Sequence, residues 1–349
     1  MITKNHCITG LSVCFIACQL HAQTIESKSS DQQQFSSLGD FALETGEKIY
    51  DCTIGYRTYG KPNADKSNFI LFPTWLGATS LALEQFVPGK LIDTTAYYLM
   101  VVDALGDGVS SSPSNSSKQP RLQFPKFSIR DMVESQYQLL TKHMGIQHVY
   151  AIASCSMGGH QSFQWAISHP GFADKIIPIV STPQNTAYDL LLFRGFLEAI
   201  ISDTAYHDGN YIGNPSIPDQ SIMWNLVETT PQNVANTISR DSFETWLMKK
   251  KAPSAFDLND ARRQLEAIAG HDISKNVNGS LEEAGKLIKA KMLIILSKQD
   301  HVVNPLPSTK IAGIIDAKVV MLDSDYGHLV VFYETEKIAK TISEFLSEE

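Results

Sequence analysis

The chain has 349 residues, 43% hydrophobic and 19% charged, with 21 Gly and 15 Pro. That is the balance of an ordinary globular protein and excludes the disordered, fibrous and low-complexity classes. Lys and Arg number 29 against 37 Asp and Glu, a net charge of −8; this is the wrong sign for gripping phosphates, so nucleic acid is not an expected partner.

Residues 1–22 read as a secretory signal peptide: Lys4 supplies the positive start, an apolar stretch runs from Ile8 to Leu20, and small Ala22 precedes the cleavage edge. Interrupted by Thr9, Ser12 and Gln19, the stretch falls short of the roughly 20 apolar residues that a membrane span needs. No other segment suggests a span, so the expected location is the periplasm or the medium. Phe15-Ile16-Ala17-Cys18 is a poor lipoprotein box. The cut leaves Cys52 and Cys155, too few for a disulfide framework, and two buried thiols are favoured over one bridge. No C-x-x-C, H-E-x-x-H or EF-hand spacing occurs and the 10 His are scattered, so the sequence calls for no metal and no cofactor.

Residues 23–37 are polar and rich in Ser and Gln, which predicts a flexible lead-in. From Phe41 to Tyr59 two strand-like runs flank Glu44-Thr45-Gly46 as in a hairpin. Strand-like and helical patterns then alternate: strands Asn68–Phe72 and Tyr97–Val102, helix Ser128–His143, strand Val149–Ala153, helix Gly158–His169 and strand Lys175–Val180. Such alternation predicts a parallel sheet covered by helices. Between 184 and 285 the rhythm breaks into helical patterns (Asp189–Ile201, Ser221–Val227, Ser239–Lys250, Leu258–Ala269) with no convincing strand. It resumes with Met292–Leu296, a Pro-led helix after Asn304-Pro305, Lys318–Leu322 and a helix from Glu334 to Leu346. The predicted organisation is one α/β core over 38–183 and 286–349, with 184–285 inserted as a helical cap. The run Lys249-Lys250-Lys251 reads as a solvated helix end.

The most informative stretch is Val149-Tyr150-Ala151-Ile152-Ala153-Ser154-Cys155-Ser156-Met157-Gly158-Gly159, an apolar strand entering a small-residue turn and then a helix. It resembles a nucleophile elbow, in which small residues on either side let the chain turn so sharply that a serine hydroxyl projects from the sheet edge. Ser154 stands for the first glycine of that motif and Gly158 for the second. The bland alternative is an ordinary strand-to-helix turn, against which the strand before and helix after weigh. Downstream, Asp300 follows the strand that ends at Leu296, and His328 lies in the loop after Leu322. The order Ser156, Asp300, His328 is that of an α/β-hydrolase triad, with His328 as base and Asp300 holding its tautomer. His160 and His301 compete as bases, and Asp323 and Asp325 as acids. The N–H groups of Met157 and of Trp75, after the strand Asn68–Phe72, are candidates for an oxyanion hole, with a plain core aromatic as the alternative for Trp75.

Further strings carry a family resemblance across most of the chain: Gly55-Tyr56-Arg57-Thr58-Tyr59-Gly60, Asn63-Ala64-Asp65-Lys66-Ser67-Asn68, Ser128-Ile129-Arg130-Asp131-Met132-Val133, Ser156-Met157-Gly158-Gly159 with Gln164-Trp165-Ala166, and Phe256-Asp257-Leu258-Asn259-Asp260. The chain resembles the homoserine O-acetyltransferase-like branch of the α/β-hydrolases. That likeness implies the α/β-hydrolase fold, a mostly parallel central sheet flanked by helices, with an inserted helical cap. It departs from the transferases at Pro73-Thr74-Trp75-Leu76-Gly77, where they carry His-Ala-Leu-Thr-Gly, and at Gly106-Asp107-Gly108-Val109-Ser110-Ser111-Ser112-Pro113. In the latter it is similar to the branch's hydrolases of small acyl esters. Leu197 falls where the transferases place an Arg. The resemblance therefore implies a serine hydrolase acting on a small-molecule acyl ester, with O-acyl transfer as the alternative and a non-catalytic binding protein as a lesser one. It also implies a homodimer.

Overall fold

The computed structural model describes residues 32–348; the expected leader and most of the lead-in lie outside them. The sheet has eight strands: β1 Gln34–Ala42, β2 Lys48–Tyr59, β3 Phe69–Pro73, β4 Tyr98–Val102, β5 Val149–Cys155, β6 Ala173–Ile179, β7 Lys291–Ser297 and β8 Lys318–Leu322. Their spatial order is β1-β2-β4-β3-β5-β6-β7-β8. β1 with β2 and β2 with β4 pair antiparallel, and every pair from β4 to β8 is parallel. β3 is buried at every position and β5, β6 and β7 at nearly every one, because helices cover both faces, as their largely apolar runs require.

The helices are α1 Ile129–Gln138, α2 Met157–Ser168, α3 Ala187–Ser202, α4 Pro218–Val227, α5 Pro231–Thr237, α6 Phe243–Lys250, α7 Leu258–Ala269, α8 Leu281–Leu287, α9 Leu306–Ile315, α10 Val330–Tyr333 and α11 Thr335–Ser347. Capping boxes start two of them, Ser128 with Asp131 at α1 and Thr186 with Asp189 at α3, each satisfying N–H groups that a helix leaves unpaired. Asp131 also accepts the Glu44 N–H at 2.8 Å, fastening the β1–β2 turn to α1. At the far end, buried Lys175 of β6 donates to the carbonyls of Phe345 and Leu346 at 3.1 and 2.9 Å, a cation where the α11 dipole favours one. No helix among the described residues is long and apolar enough to cross a membrane.

Two local expectations are corrected. The lead-in gives way to β1 at Gln34: an edge strand needs only one pairing partner, so polar residues suit it. The helix predicted over Ser128–His143 is α-helical only to Gln138 and then widens over Leu139–His143. The segment between β6 and β7 carries no strand, but it includes two short helices, α5 and α8, that the periodicity does not reveal. Cys52 and Cys155 are free, buried thiols.

Candidate active site

β5 is paired on both edges, by β3 and β6, and is buried through Cys155, so the next residue emerges at the C-terminal edge of the sheet. Ser156 turns there with φ 52° and ψ −125°, a backbone conformation that costs an ordinary residue roughly 1–3 kcal/mol. Its N–H donates to the Ile179 carbonyl at 2.9 Å and its own carbonyl accepts from His160 N–H at 2.9 Å, which fixes the turn from both sides. Gly158 is required by crowding: a Cβ there would lie 2.0 Å from Ser154 Oγ and 2.6 Å from the Pro73 carbonyl oxygen. Ser154 occupies the space that a glycine would leave and donates its hydroxyl to that same Pro73 carbonyl at 2.5 Å.

Ser156, Asp300 and His328 meet although Ser156 and His328 are 172 positions apart. Ser156 Oγ lies 3.0 Å from His328 Nε2, and His328 Nδ1 lies 2.8 Å from Asp300 Oδ2. The other carboxylate oxygen of Asp300 accepts the N–H groups of Val302 and Val303 at 2.8 and 2.9 Å. With Oδ1 held by two donors, the carboxylate has one free oxygen to orient the imidazole, so Nδ1 carries the proton and Nε2 accepts from the serine.

The competing residues are placed elsewhere. His160 is buried in α2, its Nδ1 2.7 Å from the Ser156 carbonyl and 3.0 Å from Ser181 Oγ; burial pushes its pKa down to about 4, so it is a neutral packing group. His301 is exposed and takes part through its carbonyl, which accepts from the Tyr188 hydroxyl at 3.1 Å. Asp323 is exposed and paired with Lys298 at 2.8 Å. Asp325 is also exposed, and its carbonyl accepts from Thr230.

The serine opens into a narrow pocket walled by Trp75, Leu76, Val180, Trp224, Leu329 and Phe332. Trp75 is packed edge-on against Phe72, Phe86 and Phe332, so its backbone is held beside the pocket. The N–H groups of Trp75 and of Met157, the first residue of α2, make no hydrogen bond among the described residues. Val180 has φ 42°, an outlier for a β-branched residue that clusters with Ser156 as strain does at functional sites. Burial pushes the Cys155 thiol far up, which keeps this pocket residue an uncharged neighbour of the serine. Trp224, Phe332 and the strained Val180 were not foreseen from the sequence, where each reads as one more apolar residue. Among the described residues no cluster of His, Cys, Asp and Glu is arranged to hold a metal.

A family model described as the alpha/beta hydrolase fold matches residues 68–335. The ethyl acetate hydrolase of Pseudomonas veronii is 31% identical over 282 residues, 76% of this chain and 80% of its own length. A homoserine O-acetyltransferase of Nautilia profundicola is 31% identical over 356 residues, 88% of this chain and 96% of its own. Among solved structures, the acetyl esterase MekB matches with a TM-score of 0.83 at 27% identity, covering 90% of this chain and 96% of that one. An esterase and a transferase thus share one fold and most of their length with this chain. On that breadth of match, and on the sheet that carries the serine turn, the chain belongs to the α/β-hydrolase family.

Proposed function

We propose that the protein hydrolyses small carboxylic esters through an acyl-enzyme on Ser156. The observation that carries this reading is the unbroken chain from Ser156 Oγ through His328 to Asp300, at 3.0 and 2.8 Å, opening into a small apolar pocket. Ser156 Oγ attacks the ester carbonyl as its proton passes to His328 Nε2, and Asp300 stabilises the imidazolium that forms. In this reading the Met157 and Trp75 N–H groups donate to the oxyanion. Collapse expels the alcohol, which takes the proton back from His328; a water activated by the same imidazole then releases the acid. The closely spaced aromatic walls argue against a long acyl chain, and the relatives named for ethyl acetate and acetyl esters support a short one.

O-acyl transfer is the second reading, supported by the transferase relatives. Against homoserine as acceptor stands Leu197, which is buried in α3 and brings no charge to the position where the resemblance puts the transferases' arginine. An exported enzyme would also lack acyl-CoA as donor. Export, with cleavage after residue 22, is part of the proposal and is checked by sequencing the N-terminus of the protein recovered from culture. The homodimer is likewise part of it, checked by sedimentation. The test of function is product partition: with p-nitrophenyl acetate, acetate should appear at the rate of p-nitrophenol whether or not homoserine is present. O-acetylhomoserine formation and CoA release from acetyl-CoA would replace hydrolysis by transfer.

A further inference from the structure

The chain leaving α4 is buried against the loop that carries His328. Leu329 N–H donates to the Glu228 carbonyl at 3.2 Å. The Asp325 carbonyl accepts the Thr230 N–H at 3.2 Å, the Thr230 hydroxyl at 2.7 Å and the Thr229 hydroxyl at 3.1 Å. Gly327, between them, has positive φ, and a Cβ there would lie 3.2 Å from Thr229 Cα and 3.4 Å from the Glu228 carbonyl oxygen. The cap also grips the acid loop: Asn304 N–H donates to Asp189 Oδ1 at 2.8 Å, and the Tyr188 hydroxyl to the His301 carbonyl at 3.1 Å. Both triad loops are therefore fastened by the inserted helices, not by the sheet alone.

Glu228 brings more than its backbone. It is 4% exposed, and its Oε2 is buried with no hydrogen-bond partner among the described residues. An acid left so incompletely paired is costly to bury. The titratable groups facing it are Lys250 of α6, His328 and Tyr333 of α10. Burial pushes its pKa up to about 7, against the pull of Lys250 and His328, so it changes charge in the range where a histidine base works.

We propose that Glu228 is a positioning residue for His328, through which the cap seats the histidine loop and answers the charge that forms on the imidazole. Asp300 holds Nδ1 directly from the sheet side; Glu228 acts from the cap side at longer range. As His328 takes the Ser156 proton, the Glu228 carboxylate favours the imidazolium, so the charge that this cap residue carries raises the basicity of the imidazole. The catalytic consequence rests on the acyl-enzyme reading, whereas the effect on His328 protonation does not.

The experiment replaces the charge and keeps the volume with Glu228→Gln, beside Glu228→Asp and Thr229→Val. His328 is titrated by NMR, its imidazole signal identified by its absence in His328→Asn, and pH profiles of kcat and KM are taken with p-nitrophenyl acetate. In Glu228→Gln the His328 midpoint should fall by about half a pH unit to one unit, since an opposite charge is lost from its surroundings. The acid limb of kcat/KM should fall with it, and kcat should drop about 5- to 10-fold at little changed KM. Glu228→Asp restores the charge and should return the midpoint to within about 0.3 unit of the unaltered protein. Thr229→Val loosens the same clamp without changing charge and should leave the midpoint in place. An unmoved or raised midpoint in folded Glu228→Gln overturns the proposal, as does an equal shift in Thr229→Val. If the unaltered protein hydrolyses no ester, the functional reading fails while the NMR titration still decides this one.

Discussion

Asp300→Asn changes one atom of the proposed triad, and the structure dictates what the new side chain must do. Oδ1 of Asp300 accepts two backbone N–H groups, from Val302 and Val303 at 2.8 and 2.9 Å, inside a buried loop. An amide nitrogen there would face two donors, so the asparagine carbonyl must keep that place and its NH₂ must point at His328 Nδ1, 2.8 Å away. Nδ1 is then forced to accept, its proton moves to Nε2, and Nε2 no longer takes the proton of Ser156. The fold survives while the base is lost. In serine enzymes of this geometry the wrong tautomer costs about 10⁴-fold in kcat, or about 5 kcal/mol of barrier. The assay is p-nitrophenyl acetate hydrolysis near neutral pH, with thermal unfolding to verify the fold and Asp323→Asn beside it. The exposed Asp323, paired only with surface groups, should tolerate the change within about twofold. A loss in Asp300→Asn smaller than about 100-fold would refute the reasoning, as would a comparable loss in Asp323→Asn.

Two predictions concern the frame of the site. Gly158→Ala should destabilise the protein by about 3 kcal/mol or more, and trimming Ser154 to Gly in the same chain should recover only part of it, because the Pro73 carbonyl remains 2.6 Å from the added Cβ; full recovery by chemical denaturation would contradict the crowding argument. Asp260 is buried, accepts both the N–H and the hydroxyl of Ser114, and has its pKa pushed up to about 7 by burial first and by Asp257 among the lesser causes. The folded state therefore binds this proton more tightly than the unfolded chain, and the stability it contributes is lost as pH rises from about 4 through 7. Asp260→Asn should stabilise at pH 8, by at most about 4 kcal/mol, and give no gain at pH 4; a uniform change across pH would contradict the assignment.

Much of this architecture is legible in the sequence because parallel strands buried on both faces must be apolar throughout. Val149–Cys155 before a small-residue turn announced both β5 and its serine, and the strands ending near Leu296 and Leu322 placed an acid and a histidine on the same sheet edge. Sequence order and the flanking strands put His328 and Asp300 ahead of His160, His301, Asp323 and Asp325, and the coordinates add what surrounds each rival. The first part of β1 escaped notice because its polar residues suit an edge strand as well as a linker. Glu228-Thr229-Thr230-Pro231 reads as a helix stop followed by a cap and a new helix, and nothing local records that the first three of these residues lie against the histidine loop, about a hundred positions downstream. Contacts of that range are a property of the folded surface, and one sequence carries no trace of them.

The most direct test of the account is to mix the protein with p-nitrophenyl acetate, quench in acid within the first turnover and sequence the modified peptide by mass spectrometry. The account predicts an acetyl group on Ser156, absent from Ser156→Ala and decaying as acetate is released. Acetyl on Cys155 or elsewhere, or turnover of the ester with no adduct in either protein, would contradict it.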